Sequence, residues 1–234
     1  MELKLDKITS MMDECEPLLS VMGDVSITCS GLLNPVAGAA LSVGRSFFQE
    51  YSTYKLKMFL VGLSKGNNVE TTINQIYSYV NSGQNKAYQM GNVMKKVILA
   101  ESKRSCVIMG IMVAKYLNNN TDFTIGDLIV CRALENANDF DLVNFKHLMS
   151  ECVKSQRDGR RKIIYDSKDE NRIIDYDMTC AWGVSGRLFI EDVQESSGIS
   201  FELNEEGATR YYVEYPADIL LSALDEAKQI DNYS

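Results

Sequence analysis

Over the first two thirds of the chain, apolar residues recur every three or four positions, the period of a helix with one buried face. The first stripe, from Leu3 through Ile8, Met12, Cys15 and Leu19 to Met22, predicts a helix over residues 2–22. Pro17 bends or splits it, because proline lacks a backbone donor and clashes with the preceding turn. Asn34-Pro35 opens a second helix: asparagine caps free N–H groups, and a proline at the first helical position has no donor to waste. That helix runs to about Lys65, where Gly66 supplies a left-handed terminal residue. Asn67 and Glu70 have the spacing of a capping box and start a third helix over 68–81. Residues 84–118 read as one long helical stretch, broken near Ala100–Ser102. Thr124 with Asp127 opens a fifth helix, to about Asn136. Asp139 caps a sixth, to about Arg157. Short connections between six helices predict a bundle.

The pattern changes at Asp158-Gly159. Beyond it, β-branched and aromatic residues come in short runs, the mark of strands. Residues 162–165 and 172–175 flank a polar stretch and suit a hairpin. Met178–Gly186 reads as a helix. Residues 187–193, 199–203 and 210–215 read as strands, with Ser197-Gly198 and Glu206-Gly207 as turns between them. Pro216 starts a final amphipathic helix. The expected class is therefore mainly α: an N-terminal multi-helix bundle over 1–157, then a small α+β domain over 158–234. The order of helix, strands and helix in the second part loosely resembles a winged-helix module.

Charge sharpens this division. The whole chain has 24 Lys and Arg against 32 Asp and Glu, a net charge of −8. From Asp158 onward there are 8 basic and 17 acidic residues, which leaves 16 basic and 15 acidic before it. The second part is strongly acidic and the first nearly neutral. Six cysteines are scattered without a C-x-x-C pair. The N-terminus carries charges of both signs and no signal-like apolar run. These features predict reduced, mostly buried thiols in a cytoplasmic protein.

Candidate chemistry is thin. The lone histidine, His147, lies at helical spacing among Phe145, Leu148 and Met149, and no partner sits at metal-ligand spacing. No phosphate-binding glycine loop and no nucleophile elbow occur. Gly183-Val184-Ser185-Gly186 reads as a helix end and turn. Asp139 and Asp141, Asp175 and Asp177, and Glu101-Ser102-Lys103 are carboxylate arrangements without a supporting context. No catalytic residue, cofactor or metal site is assigned.

Three binding readings follow. The first is a non-catalytic adaptor or inhibitor that binds a protein partner through its acidic C-terminal domain. Its contact surface would comprise Glu191, Asp192, Glu195, Glu202, Glu205 and Glu206 with Tyr211 and Tyr212; charge complementarity of this kind speeds and selects association. The second is a membrane-active effector that inserts residues 25–48, where Val25–Gly44 carries no charge. The third is a nucleic-acid-binding regulator using the basic helix 84–117, through Lys86, Lys95, Lys96, Lys103 and Arg104. Acids in the C-terminal part, such as Asp175, Asp177, Glu191, Asp192 and Glu195, would repel phosphates there. Self-association into a homo-oligomer is compatible with each. The protein-binding reading is the one expected here.

Overall fold

The computed structural model describes residues 40–64, 69–154, 160–166, 176–191 and 208–231. They form a mainly helical protein of eight helices with one small antiparallel sheet of four strands. The expected helix over 2–22, residues 25–39 of the uncharged run Val25–Gly44, and the expected strands at 172–175 and 199–203 lie outside the described residues. The described residues fall into two compact units, those up to Phe123 with those from Glu226 onward, and those from Thr124 to Asp225.

In the first unit, α1 spans Ala40–Ser64, α2 Val69–Asn81, α3 Gln84–Leu99 and α4 Lys103–Asn119. The expected break in 84–118 thus falls between α3 and α4. Ser102 produces it: its side chain accepts hydrogen bonds from the N–H groups of Arg104 and Ser105 at 3.0 and 3.3 Å, capping a new helix. From Ser105 to Ala114 nearly every residue of α4 is buried, which makes it the central helix of this unit. It packs most extensively on α1, whose Leu56, Phe59, Leu60 and Leu63 form a buried stripe. The two backbones nearly touch. A Cβ on Gly62 would lie 2.0 Å from the Val107 carbonyl oxygen, and one on Gly110 would lie 2.1 Å from that of Phe59. Glycine is needed at both positions because nothing larger fits between the helices.

Polar side chains close the ends of this unit. Lys55 is buried, yet its ammonium group donates to the Ile98 carbonyl at 3.0 Å, in the last turn of α3. That is the negative end of the helix dipole, where a cation is favoured. The same group lies 4.0 Å above the Tyr51 ring. The Tyr79 hydroxyl donates to the Thr121 carbonyl at 2.8 Å, and Phe123 packs against the rings of Tyr79 and Tyr116.

The second unit opens with α5 (Ile125–Glu135) and α6 (Asp139–Ser150). Thr124 and Asp127 form the expected capping box. For α6 the cap is Asn138, in a box with Asp141, rather than Asp139. Asp139 is the first helical residue, where its charge still favours the positive helix end. The chain continues through β1 (Val153–Lys154), β2 (Arg161–Asp166), α7 (Asp177–Ser185), β3 (Phe189–Glu191) and β4 (Ala208–Val213) into α8 (Tyr215–Asp231). The strand order is β1-β2-β4-β3.

One face of the sheet is sealed. Ile163, Phe189 and Tyr211 are buried there. The Phe189 ring stacks on Phe145 of α6 at 5.7 Å, and Trp182 of α7 meets Phe145 edge-on at 5.9 Å. The Trp182 indole N–H donates to the Ala133 carbonyl of α5 at 2.9 Å. The composition change at Asp158 therefore falls inside this unit: α5 and α6 supply the surface on which the sheet and α7 pack. The lone tryptophan belongs to this core. Gly183 and Gly186 mark the end of α7 as expected, and a Cβ at Gly183 would collide with the Phe189 ring at 2.2 Å.

Candidate protein-docking surface

Side chains alternate across a strand, and residues paired between neighbouring strands share a face. The register pairs Val153 with Lys162, Lys162 with Tyr212, and Tyr212 with Ile190. These four residues form one row across all four strands, on the face opposite the buried Ile163 and Tyr211. Ile164 lies on the same outer face, two residues from Lys162. Apolar residues would be expected to hide, but here they do not. Val153 is 49% exposed, Ile190 48% and Ile164 38%. Tyr212 and Lys162 are half-buried. The Arg160 guanidinium lies 4.2 Å from the centre of the Tyr212 ring and the Lys162 ammonium 4.9 Å from it.

Arg160 also pairs with Glu214 at 2.9 Å, and Arg161 on the other face pairs with Asp218 of α8 at 2.5 Å. Lys162 has no ion-pair partner among the described residues. The outer face is thus an aliphatic and aromatic surface with cationic character at its centre, set in the acidic part of the chain. Tyr212, anticipated as a contact residue, sits in the middle of it. Tyr211 is corrected: it is buried in the inner core, because it is one residue away and strand alternation sends it to the opposite face. Glu191 is exposed at the end of β3. Asp192, Glu195, Glu202, Glu205 and Glu206 lie outside the described residues.

The sequence carried one signal of this surface. Two consecutive large apolar residues in a strand cannot both face the core. Ile163-Ile164 and Phe189-Ile190 each place one residue inside and one outside.

A second group of exposed apolar side chains lies on the helices. Phe140 and Val143 are one turn apart on α6, and they are 80% and 45% exposed. Met178, at the start of α7, is 72% exposed. The neighbouring Thr179 hydroxyl bonds to Asp141, and Asn144 donates to it, both at 3.3 Å.

The residues expected for nucleic acid are not one stripe. Lys95 and Lys96 end α3, and the exposed Lys103 and Arg104 begin α4, so these four share a corner. Lys86 lies in the first turn of α3, at its far end. It is also engaged: its ammonium group donates to the Asn120 carbonyl and side-chain oxygens at 2.7 and 2.8 Å, and to Ser82 at 3.2 Å.

Reactive groups are correspondingly quiet. Cys106, Cys131 and Cys180 are buried and Cys152 is half-buried, all four as thiols rather than disulfides. Burial pushes the thiols of Cys106 and Cys152 up to about 11, so both stay protonated at neutral pH and are poor nucleophiles. His147 is exposed in the last turn of α6. Among the described residues no group of three His, Cys, Asp or Glu side chains is placed to hold a metal ion, and no helix is long and apolar enough to cross a membrane. Of the segment 25–48, only the backbone from Ala40 is described, as the start of α1. No known family model, curated protein or solved structure matches this chain.

Proposed function

We propose that this chain is a non-catalytic interaction protein that binds a protein partner through its second unit, on the outer face of the sheet. The observation that carries the proposal is the exposed row Val153–Lys162–Tyr212–Ile190. Large apolar side chains held in water on one sheet face, opposite a sealed one, are the kind of surface that interaction sites use. An aromatic and an arginine at its centre match the residues that dominate protein interfaces. The order of α5, α6, β2, α7, β3 and β4 fits a winged-helix-like module. In that arrangement α7 would be the reading helix, and its exposed positions Asp177, Met178, Ala181 and Ser185 hold no cation. That favours a protein partner over nucleic acid. A reducing, cytoplasmic setting is part of the proposal, supported by four cysteines held as thiols rather than disulfides.

The test is capture of a partner by the full chain and by Ile190→Glu, with circular dichroism checking that both fold. Loss of a stoichiometric partner in Ile190→Glu, with retention in Lys95→Glu/Lys96→Glu, is the expected result. Retention in Ile190→Glu and loss in the lysine variant would move the function to the basic corner and overturn the proposal.

A further inference from the structure

Resting on the sheet-face reading, the geometry also points to the chemistry of the partner. We infer that the outer face takes an extended segment with an aliphatic, a carboxylate and a second aliphatic side chain at alternate positions, laid across the strands.

Spacing carries the argument. Neighbouring strands lie about 4.8 Å apart, so the row from Val153 on β1 to Ile190 on β3 spans three gaps, roughly 14 Å. An extended chain advances about 3.3–3.4 Å per residue, so its positions i and i+4 are about 13.5 Å apart and face the same way. Position i+2 then falls midway, between Lys162 on β2 and Tyr212 on β4. The two ends of the row are aliphatic and exposed, and its centre is cationic. Aliphatic side chains at i and i+4 meet Val153 and Ile190, and a carboxylate at i+2 meets the Lys162 ammonium.

Charge selects this occupant over others. Arg160 already pairs with Glu214, whereas Lys162 has no carboxylate partner among the described residues. One anionic group is therefore accommodated at the centre. A densely acidic segment is disfavoured by the net charge of −8 on the chain as a whole. Single-stranded nucleic acid needs free aromatic faces on which to stack. The Tyr212 ring is occupied by Arg160 and Lys162, and the flanking residues are aliphatic.

The probe is a capped Gly-Val-Ser-Glu-Ser-Val-Gly peptide, titrated into the full isotopically labelled chain and followed by two-dimensional NMR. The expected result is perturbation confined to Val153, Lys162, Tyr212, Ile190 and their neighbours. Replacing the peptide glutamate by lysine should weaken this by about tenfold or more, since like charges would then meet. Lys162→Glu, at a half-buried position on the outer face and outside the core, should reverse the preference between the two peptides. Equal perturbation by both peptides, no perturbation of the row, or perturbation of the row by single-stranded oligothymidylate instead would overturn the inference. If the peptides fail while Ile190→Glu still abolishes partner capture, only the partner chemistry is wrong. If Ile190→Glu leaves capture intact, the docking surface itself is wrong.

Discussion

The helical core around α4 and the four-stranded sheet handle apolar surface in opposite ways. In the first, α4 is buried along most of its length, and glycines let it meet α1 backbone to backbone. In the second, one sheet face is sealed by Phe145, Trp182 and Phe189, while the other leaves Val153, Ile164 and Ile190 in water. The same residue types are thus sealed in one place and left in water in the other. Side-chain chemistry alone does not separate these outcomes; the presence or absence of a covering element does.

Substitutions can sharpen that contrast. The largest effect is expected at Gly110. Alanine is favoured over glycine within a helix by about 0.8–1 kcal/mol. Against this, the new Cβ would sit 2.1 Å from a backbone oxygen that cannot rotate away. Forcing α1 and α4 apart should outweigh the propensity gain, so Gly110→Ala should destabilise by ~3 kcal/mol or more. Gly91→Ala on α3 has no atom within 4 Å of the added Cβ and should instead stabilise by up to about 1 kcal/mol. Chemical denaturation of the two variants checks both signs, and equal behaviour would remove the close approach from the account.

A smaller effect is expected at the edge of the same core. Burial, reinforced by Asp122, pushes the Tyr79 phenol up from 10.0 to about 12. The folded state holds this proton more tightly than the unfolded chain. Its contribution to stability is therefore complete below pH 10 and is lost as pH rises toward 12. Tyr79→Phe should remove that alkaline dependence. It should also cost about 1 kcal/mol at neutral pH through the lost bond to Thr121. Phenolate absorbance against pH, compared between the two proteins, reads the titration directly.

The smallest effect on stability is expected on the outer sheet face. Ile190→Ser removes an apolar side chain that is already about half exposed. The denaturation midpoint should move by no more than about 0.5 kcal/mol-equivalent. A loss comparable to a core truncation would show that Ile190 supports the fold, and the contrast between helical core and sheet would fail.

Helix positions were readable from the sequence because their signals are local. Thr124 with Asp127 announces α5, and the polar Ala100–Ser102 step separates α3 from α4. The α6 start was missed by one residue because Asn138 and Asp139 are both good caps; the choice depends on which side chain reaches the Asp141 N–H. The candidate surface was only partly legible. Tyr212 was reachable from composition, but its separation from Tyr211 required strand register, which depends on pairing with distant residues. Val153, at the far end of the row, sits in a two-residue strand that no propensity rule detects. Lys86 reads as part of a basic helix over 84–117 because sequence shows charge but not its partner: the Asn120 it holds is brought close only by the packing of α4.

The close pairing of α1 with α4 also bears on how the first unit is reached, as distinct from how stable it is. These helices are not neighbours in sequence, since α2 and α3 lie between them. Their contact can form only after a long segment of chain has been closed into a loop, with the entropy cost that entails. Helical proteins usually fold quickly because most of their contacts are local. This one places its tightest contact between helices some 45 residues apart (Gly62 against Val107), so the closure of α1 onto α4 carries an entropic cost that contacts between successive helices do not.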